Sequence, residues 1–376
     1  MTSTHAVVSG LTLYPIKSCL AVAQPRVWVG EEGLQGDRRF MVVKPDGSFV
    51  TARTHPQLQT VSVELLPVGL RLQAPGLPAI GILSERFVGQ AFQTQVWQDS
   101  FVAWTTHPDY DDWFSRLLGE PVHLLWVGQR SERYRAKLGQ RVSFADGYPL
   151  LLIGEAALSD LNGRMAEPQR MSQFRPNLVF RGGAPFAEDG WRRIRVGEVE
   201  FLVAKPCSRC VMTTLDAQRG EYHPLKEPLA TLATYRMGAD GEIYFGQNLQ
   251  PLNEGWIQLG DAVEVLETQA APVYAPKPRL VVADAPPASG RHRVTVGETQ
   301  LTVRGDATLL DQLEDAGLDW PYSCRSGFCG RCRRPLLSGS VTHQPATELA
   351  KHLESKGEVL PCCAYATGDL ALAERR

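Results

Sequence analysis

Short runs with apolar residues at alternate positions dominate the first hundred residues. Ala6–Thr12, Arg39–Lys44 and Val61–Leu65 each read as strands of period two, separated by turn residues. Pro45-Asp46-Gly47 lies between Phe40–Lys44 and Ser48–Ala52 and predicts a tight hairpin. Strands so spaced predict a barrel or sandwich over residues 1–95. The pattern becomes mixed over 96–268. A helical period places Trp113, Leu117 and Leu118 on one face of Pro108–Leu118, and Ala156, Leu158, Leu161 and Met165 on one face of Glu155–Met165. Strands are expected at Asn177–Phe180, Val199–Lys205 and Val263–Leu266.

Residues 269–290 break the pattern. The stretch is rich in Pro and Ala and has no period, which predicts a semi-extended linker and a domain boundary. Beyond it, His292–Val296 and Thr299–Val303 form a hairpin around Gly297, and a short helix runs from Thr308 to Asp315. The last domain then spans 291–376. The expected fold is mainly β with α+β parts, in three domains, because 376 residues exceed what one core usually serves.

Composition narrows the function classes. The 39 basic and 41 acidic residues leave a formal charge of −2, which gives no footprint for nucleic acid or for an anionic membrane. No apolar run reaches the ~18 residues of a spanning helix. No secretory leader is recognisable at Met1-Thr-Ser-Thr-His-Ala. A cytoplasmic protein is expected. Its eight cysteines then point to metal or redox chemistry rather than to disulfides.

Cys324, Cys329 and Cys332 stand as C-x4-C-x2-C, with Cys362 further on. This is the plant-type [2Fe–2S] spacing, in which soft thiolates suit an iron–sulfide core. Gly327 and Gly330 let the backbone curl around it. A tetrahedral zinc knuckle fits this spacing less well. Tyr322-Ser-Cys324-Arg325 and Val359-Leu-Pro-Cys362-Cys363-Ala-Tyr365 resemble the ferredoxin family, which implies a β-grasp fold and one [2Fe–2S] cluster. The family's C-x-A-Y pattern implies Cys362, not Cys363, as the fourth ligand. On an extended segment Cys363 should then point the opposite way. Arg325, Arg331, Arg333 and Arg334 make the loop basic. They either steer an acidic electron donor to it or solvate and neutralise the cluster.

A ferredoxin carries single electrons, so the organic chemistry must lie elsewhere. No Gly-rich phosphate loop of a flavin or nicotinamide domain is present. The remaining cysteine pair, Cys207 and Cys210, sits in Lys205-Pro-Cys-Ser-Arg-Cys-Val-Met-Thr-Thr214. A dithiol would want the start of a helix, yet Val-Met-Thr-Thr is rich in β-formers. A zinc half-site would need further ligands, and only His223 is near. A single thiolate on a transition metal otherwise held by an organic cofactor is the third reading.

This segment resembles the MOSC family of molybdenum cofactor sulfurases and amidoxime-reducing enzymes. Tyr14-Pro-Ile-Lys-Ser-Cys19, Gly36-Asp-Arg-Arg-Phe40, Phe174-Arg-Pro-Asn-Leu-Val179 and Phe245-Gly-Gln-Asn248 occur in that family's order. The resemblance implies a Mo-molybdopterin cofactor, with Cys210 as catalytic metal ligand. It implies cofactor contacts from Lys17, Ser18, Arg38, Arg175 and Asn177. Ser208 and Asn248 would add neutral hydrogen bonds. It further implies reduction of N-hydroxylated compounds, such as purine hydroxylamines and amidoximes. Electrons would come from an external NAD(P)H-dependent flavoprotein through the [2Fe–2S] domain. The alternatives are sulfur transfer by a Cys210 persulfide, and plain electron transfer without a catalytic metal.

Overall fold

The structure, a computed structural model, describes residues 6–216, 220–274, 290–318, 320–322, 325, 327–344 and 347–374. Cys324 and most of the 269–290 linker therefore lie outside the described residues. The chain divides into two compact units. The first holds residues 1–207, 215–222 and 245–272, and the second holds 208–214, 223–244 and 273–376.

The first unit is built on an eight-stranded sheet. Its order is Val22–Ala23, Val7–Leu13, Leu178–Arg181, Leu150–Gly154, Tyr244–Pro251, Val199–Ser208, Trp191–Val196, Val263–Thr268. The sheet curls until its ends meet: Val8 N donates to Asp261 O (2.8 Å) and Val263 N to Ala6 O (2.8 Å). The barrel so closed leaves no long unpaired edge at this seam. Val8, Leu11, Leu152, Leu178, Phe180, Phe201 and Val203 fill its interior, each at most 2% exposed. A second sheet, Phe40–Val43, His123–Trp126, Asp99–Thr105 and Ala91–Val96, is antiparallel throughout. Met41, Val43, Val96, Ala103, Leu125 and Phe144 pack its core.

Helix Pro108–Leu118 forms as its sequence predicts. Pro108 opens it, the His107 ring accepts from Asp109 N (3.2 Å), and Gly119 closes it at φ +75°. Its buried face is Tyr110, Trp113 and Phe114, one step round from the expected Trp113, Leu117 and Leu118. The second helix stops at Asn162 rather than Met165, because Gly163 follows.

The second unit contains the β-grasp domain. Its sheet runs Thr299–Arg304, Arg291–Val296, Leu370–Leu372, Arg334–Ser338, Glu358–Val359, with Arg291–Val296 parallel to Leu370–Leu372. Helix Leu309–Asp315, capped by the Thr308 hydroxyl on Asp311 N (3.2 Å), covers it with Leu309, Leu310 and Leu313. Among the described residues no helix is long and apolar enough to cross a membrane.

Candidate functional site

In the first unit, the loop Tyr14–Cys19 collects the charged residues expected from the sequence. Lys17 is 6% exposed. Its Nζ donates to Phe144 O (2.8 Å) and Asp146 Oδ1 (2.5 Å). Burial pushes the ammonium down to about 8, although Asp146 opposes the shift. Asp146 also accepts from Arg53 Nη2 (3.0 Å). Burial alone would raise this carboxyl, but Lys17 and Arg53 together hold it well below the usual carboxylate range. The carboxylate's own segment is fixed by Arg133, a fully buried guanidinium that donates to Ser143 O, Ala145 O and Asp146 O.

The same loop meets a second pair of cations. Two guanidiniums lie over the Tyr14 ring, Arg38 at 4.3 Å and Arg175 at 4.1 Å from its centroid. Arg38 donates to Asp37 Oδ2 (2.5 Å) and Asn177 Oδ1 (2.9 Å). Burial raises the Asp37 carboxyl against the pull of Arg38. Asn177 is 1% exposed and ties strands together, its Nδ2 donating to Thr12 O (3.1 Å). Arg175 donates to Cys19 O (2.8 Å) and, among the described residues, has no carboxylate within ion-pair distance. Burial pulls its guanidinium down to about 10. Lys17 and Arg53 share Asp146, Arg38 pairs with Asp37, and this gathering of cations suits a phosphate-bearing ligand.

Backbone strain marks the same positions. Among the described residues seven non-glycines have positive φ, and Ser18 (71°), Arg38 (47°) and Arg175 (54°) are three of them. Each such residue costs of order 1–3 kcal/mol, a cost that concentrates at functional sites. Ser18 itself is buried, and its carbonyl accepts from Gln59 Nε2 (2.7 Å). Asn248 donates to Lys205 O (3.4 Å) and Pro206 O (3.3 Å), steadying the end of strand Val199–Ser208. Arg53, Arg133 and Asp146 escaped the sequence reading because no short motif joins residues this far apart. Arg53 and Arg133 are buried charges, and Asp146, half exposed, meets Lys17 and Arg53 only in the fold.

Cys207 and Ser208 end the long strand, with Ser208 exposed, and the half-buried Cys210 belongs to the second unit. The residues after it are not extended. Val211–Thr214 is a 3-10 turn, its carbonyls met by Thr213 Oγ1 on Cys210 O (3.0 Å) and Thr214 Oγ1 on Val211 O (2.8 Å). Local threonine hydroxyl bonds override the β-propensity there. Arg209 N donates to Ile243 O (2.7 Å), which holds Cys210 beside the hairpin Met237–Ile243.

The cluster thiols occupy the same unit. Cys332 and Cys362 are buried and Cys329 is half-buried. Gly327 and Gly330 take positive φ, 74° and 70°, as the curled loop requires. Trp320 Nε1 donates to Cys332 O (3.0 Å) and Thr347 Oγ1 to Gly327 O (3.0 Å). Pro361–Cys363 is a turn and not an extended segment: Cys363 N donates to Leu360 O (3.0 Å). The expected alternation of Cys362 and Cys363 therefore does not apply. The Cys363 sulfur instead packs on Gly327, where a Cβ would come within 2.7 Å of it. Among the described residues no three His, Cys, Asp or Glu side chains form a metal site, and Cys324 is outside them. The glycine-lined loop and the buried thiols fit an iron–sulfide cluster.

Arg325 is not a docking charge. Its side chain is 10% exposed and pairs with Asp311 (2.7 Å) and with Glu314. Burial alone would lower this guanidinium, but Tyr322, Glu314 and Asp311 raise it overall. Arg331 and Arg333 remain at the surface, and Arg334 lies over the Trp320 ring at 4.9 Å.

Three family models match the chain. They are a MOSC N-terminal beta barrel domain over residues 5–121, a MOSC domain over 139–264, and a 2Fe-2S iron-sulfur cluster binding domain over 294–367. A mitochondrial amidoxime reducing component 2 of Bos taurus is 32% identical over 68% of this chain and 82% of its own. The human mitochondrial amidoxime-reducing component 1 is 30% identical over 69% of this chain and 82% of its own. A molybdenum cofactor sulfurase of Solanum lycopersicum is 28% identical, and the match spans 35% of that longer protein.

Proposed function

We propose that this chain, which belongs to the MOSC-domain family together with the mitochondrial amidoxime-reducing components, reduces N-hydroxylated compounds at a molybdenum cofactor. Its [2Fe–2S] domain would supply the electrons. The observation that carries this reading is that Cys210, the candidate metal ligand, shares one compact unit with the thiols of the cluster loop. A cluster domain so placed has use for an electron acceptor close by.

In this reading Lys17, Arg38 and Arg175 clamp the cofactor's phosphate by charge-assisted hydrogen bonds. Ser18, Asn177, Ser208 and Asn248 contribute neutral ones. Burial keeps these cations weakly hydrated, which strengthens each contact. Cys210 gives a thiolate to the metal. When bound, the cofactor would supply the redox chemistry for cleaving the N–O bond of an N–OH group. The balance is two electrons and two protons per N–OH, giving N–H and water. The electrons arrive singly through the cluster from an external NAD(P)H-dependent flavoprotein.

Metal analysis of the purified holoprotein tests this directly. About two irons and one molybdenum with a pterin are expected per chain. Cys210→Ala should lose molybdenum and N–OH reduction while keeping iron and the visible spectrum of the cluster. Protein with full iron, no molybdenum and a persulfide on Cys210 would make the chain a sulfur carrier instead.

A further inference from the structure

The hairpin Met237–Ile243 belongs to the MOSC-matching segment, yet its tip lies on the cluster loop. It is a tight turn: Gly238 N donates to Glu242 O (2.9 Å) and Gly241 N to Gly238 O (3.0 Å). Gly241 has φ +81°, and a Cβ built there would stand 2.9 Å from Cys329 O and 3.5 Å from Cys329 Cα. Only glycine admits so close an approach to the backbone of Cys329, a residue of the cluster loop. Beside it, Arg331 Nη1 donates to Glu242 Oε1 (3.3 Å). At its other end the hairpin is bonded to the catalytic segment, through Arg209 N on Ile243 O, one residue before Cys210.

We propose that this hairpin is the internal docking port of the cluster domain, through which electrons pass from the cluster loop to the Cys210 sulfur. The inference rests on the reductase reading above. The connection is continuous. Cys329 touches Gly241, covalent backbone runs from Gly241 to Ile243, a 2.7 Å hydrogen bond leads to Arg209, and Cys210 follows. Each passage takes one electron from the reduced cluster. Two passages, with two protons, supply one N–OH cleavage, and the external flavoprotein restores the cluster between them. The occupant of the hairpin tip is the chain's own cluster domain, so the port sets the internal transfer and not the choice of external donor. Gly241, Glu242 and Arg331 are positioning residues and touch no substrate.

The test uses the full-length holoprotein, its cluster reduced anaerobically with dithionite and then mixed with an amidoxime. Reoxidation of the cluster is followed by visible absorbance. Gly241→Val should slow it by about tenfold or more, a loss of ~1.4 kcal/mol in docking. Glu242→Arg and Arg331→Glu should each slow it through like-charge repulsion, and the double exchange should restore it. A second measurement needs no turnover. Hydrogen exchange at the amides of 238–243 should quicken in the slowed variants and return to normal in the double exchange. Normal reoxidation in all three single variants, or a double exchange no better than its parents, overturns the port. A wild-type cluster that the amidoxime never reoxidises overturns the reductase reading and the port with it. Normal wild-type reoxidation with insensitive variants removes the port alone.

Discussion

Thr347→Val isolates one hydroxyl that the cluster loop depends on. Thr347 is fully buried, and its Oγ1 makes two bonds. It donates to Gly327 O (3.0 Å) and accepts from Ala350 N (2.9 Å) as the cap of helix Glu348–Glu354. Valine keeps the shape, so no cavity opens. Losing the cap costs about 1 kcal/mol. Leaving the Gly327 carbonyl buried and unpaired costs about 1–3 kcal/mol more. Together these give about 2–4 kcal/mol, or about 30-fold at the lower bound in the population of an opened loop. The assay is bleaching of cluster absorbance in excess iron chelator, under conditions where opening and closing are fast relative to capture, so that the rate follows the open population. Thr347→Ser should bleach nearly as slowly as the native protein, and Thr347→Val about 30-fold faster or more. A valine variant bleaching at the native rate would show that this hydroxyl does not hold the loop.

Gly327→Ala should lower cluster content, because its Cβ meets the Cys363 sulfur at 2.7 Å and φ is +74°; adding Cys363→Ala should recover part of the iron by removing the collision but not the strain. Arg325→Ala should speed cluster loss by breaking its pairs with Asp311 and Glu314, whereas Arg333→Glu should leave the cluster intact and slow its reduction by an acidic flavoprotein at low salt. Lys17 has a folded-state value near 8, below the ordinary 10.5, so the unfolded chain holds more protons across that window and stability should rise with pH through it; Lys17→Met should flatten the rise in urea midpoints. Asp146 has the opposite sign: its depressed value means stability present above the ordinary carboxylate range is lost as pH falls through it, and Asp146→Asn should remove that acid sensitivity.

The sequence is most legible where the physics is local. The Pro108 start and Gly119 stop of the helix, and the hairpins at Gly47 and Gly297, follow from backbone preferences of single residues. The glycines of the cluster loop belong to the same class. What escaped is long-range. Asp146 joins Lys17 across 129 residues and Arg53 across 93, and no periodicity records such a meeting. Along the chain Arg325 belongs to a basic run, yet two carboxylates on helix Leu309–Asp315 absorb its charge. The turn at Cys362–Cys363 shows the same limit. Its bonds from Cys363 N to Leu360 O, from Leu360 N to His343 Nε2 and from Gln344 N to Cys363 O come partly from a strand well upstream.

The interlaced strands of the first unit carry a consequence for how the molecule is made. Val7–Leu13 lies between Val22–Ala23 and Leu178–Arg181, and Arg26–Gly30 pairs with Gly255–Gln258. Synthesis must therefore reach Gln258 before the opening strands have all their neighbours. Until then the nascent chain presents unsatisfied β-edges, the state in which misassembly is most probable. Cutting the gene at a point between the two front segments should yield fragments that aggregate, while a cut in the Pro- and Ala-rich stretch spares every one of these pairings.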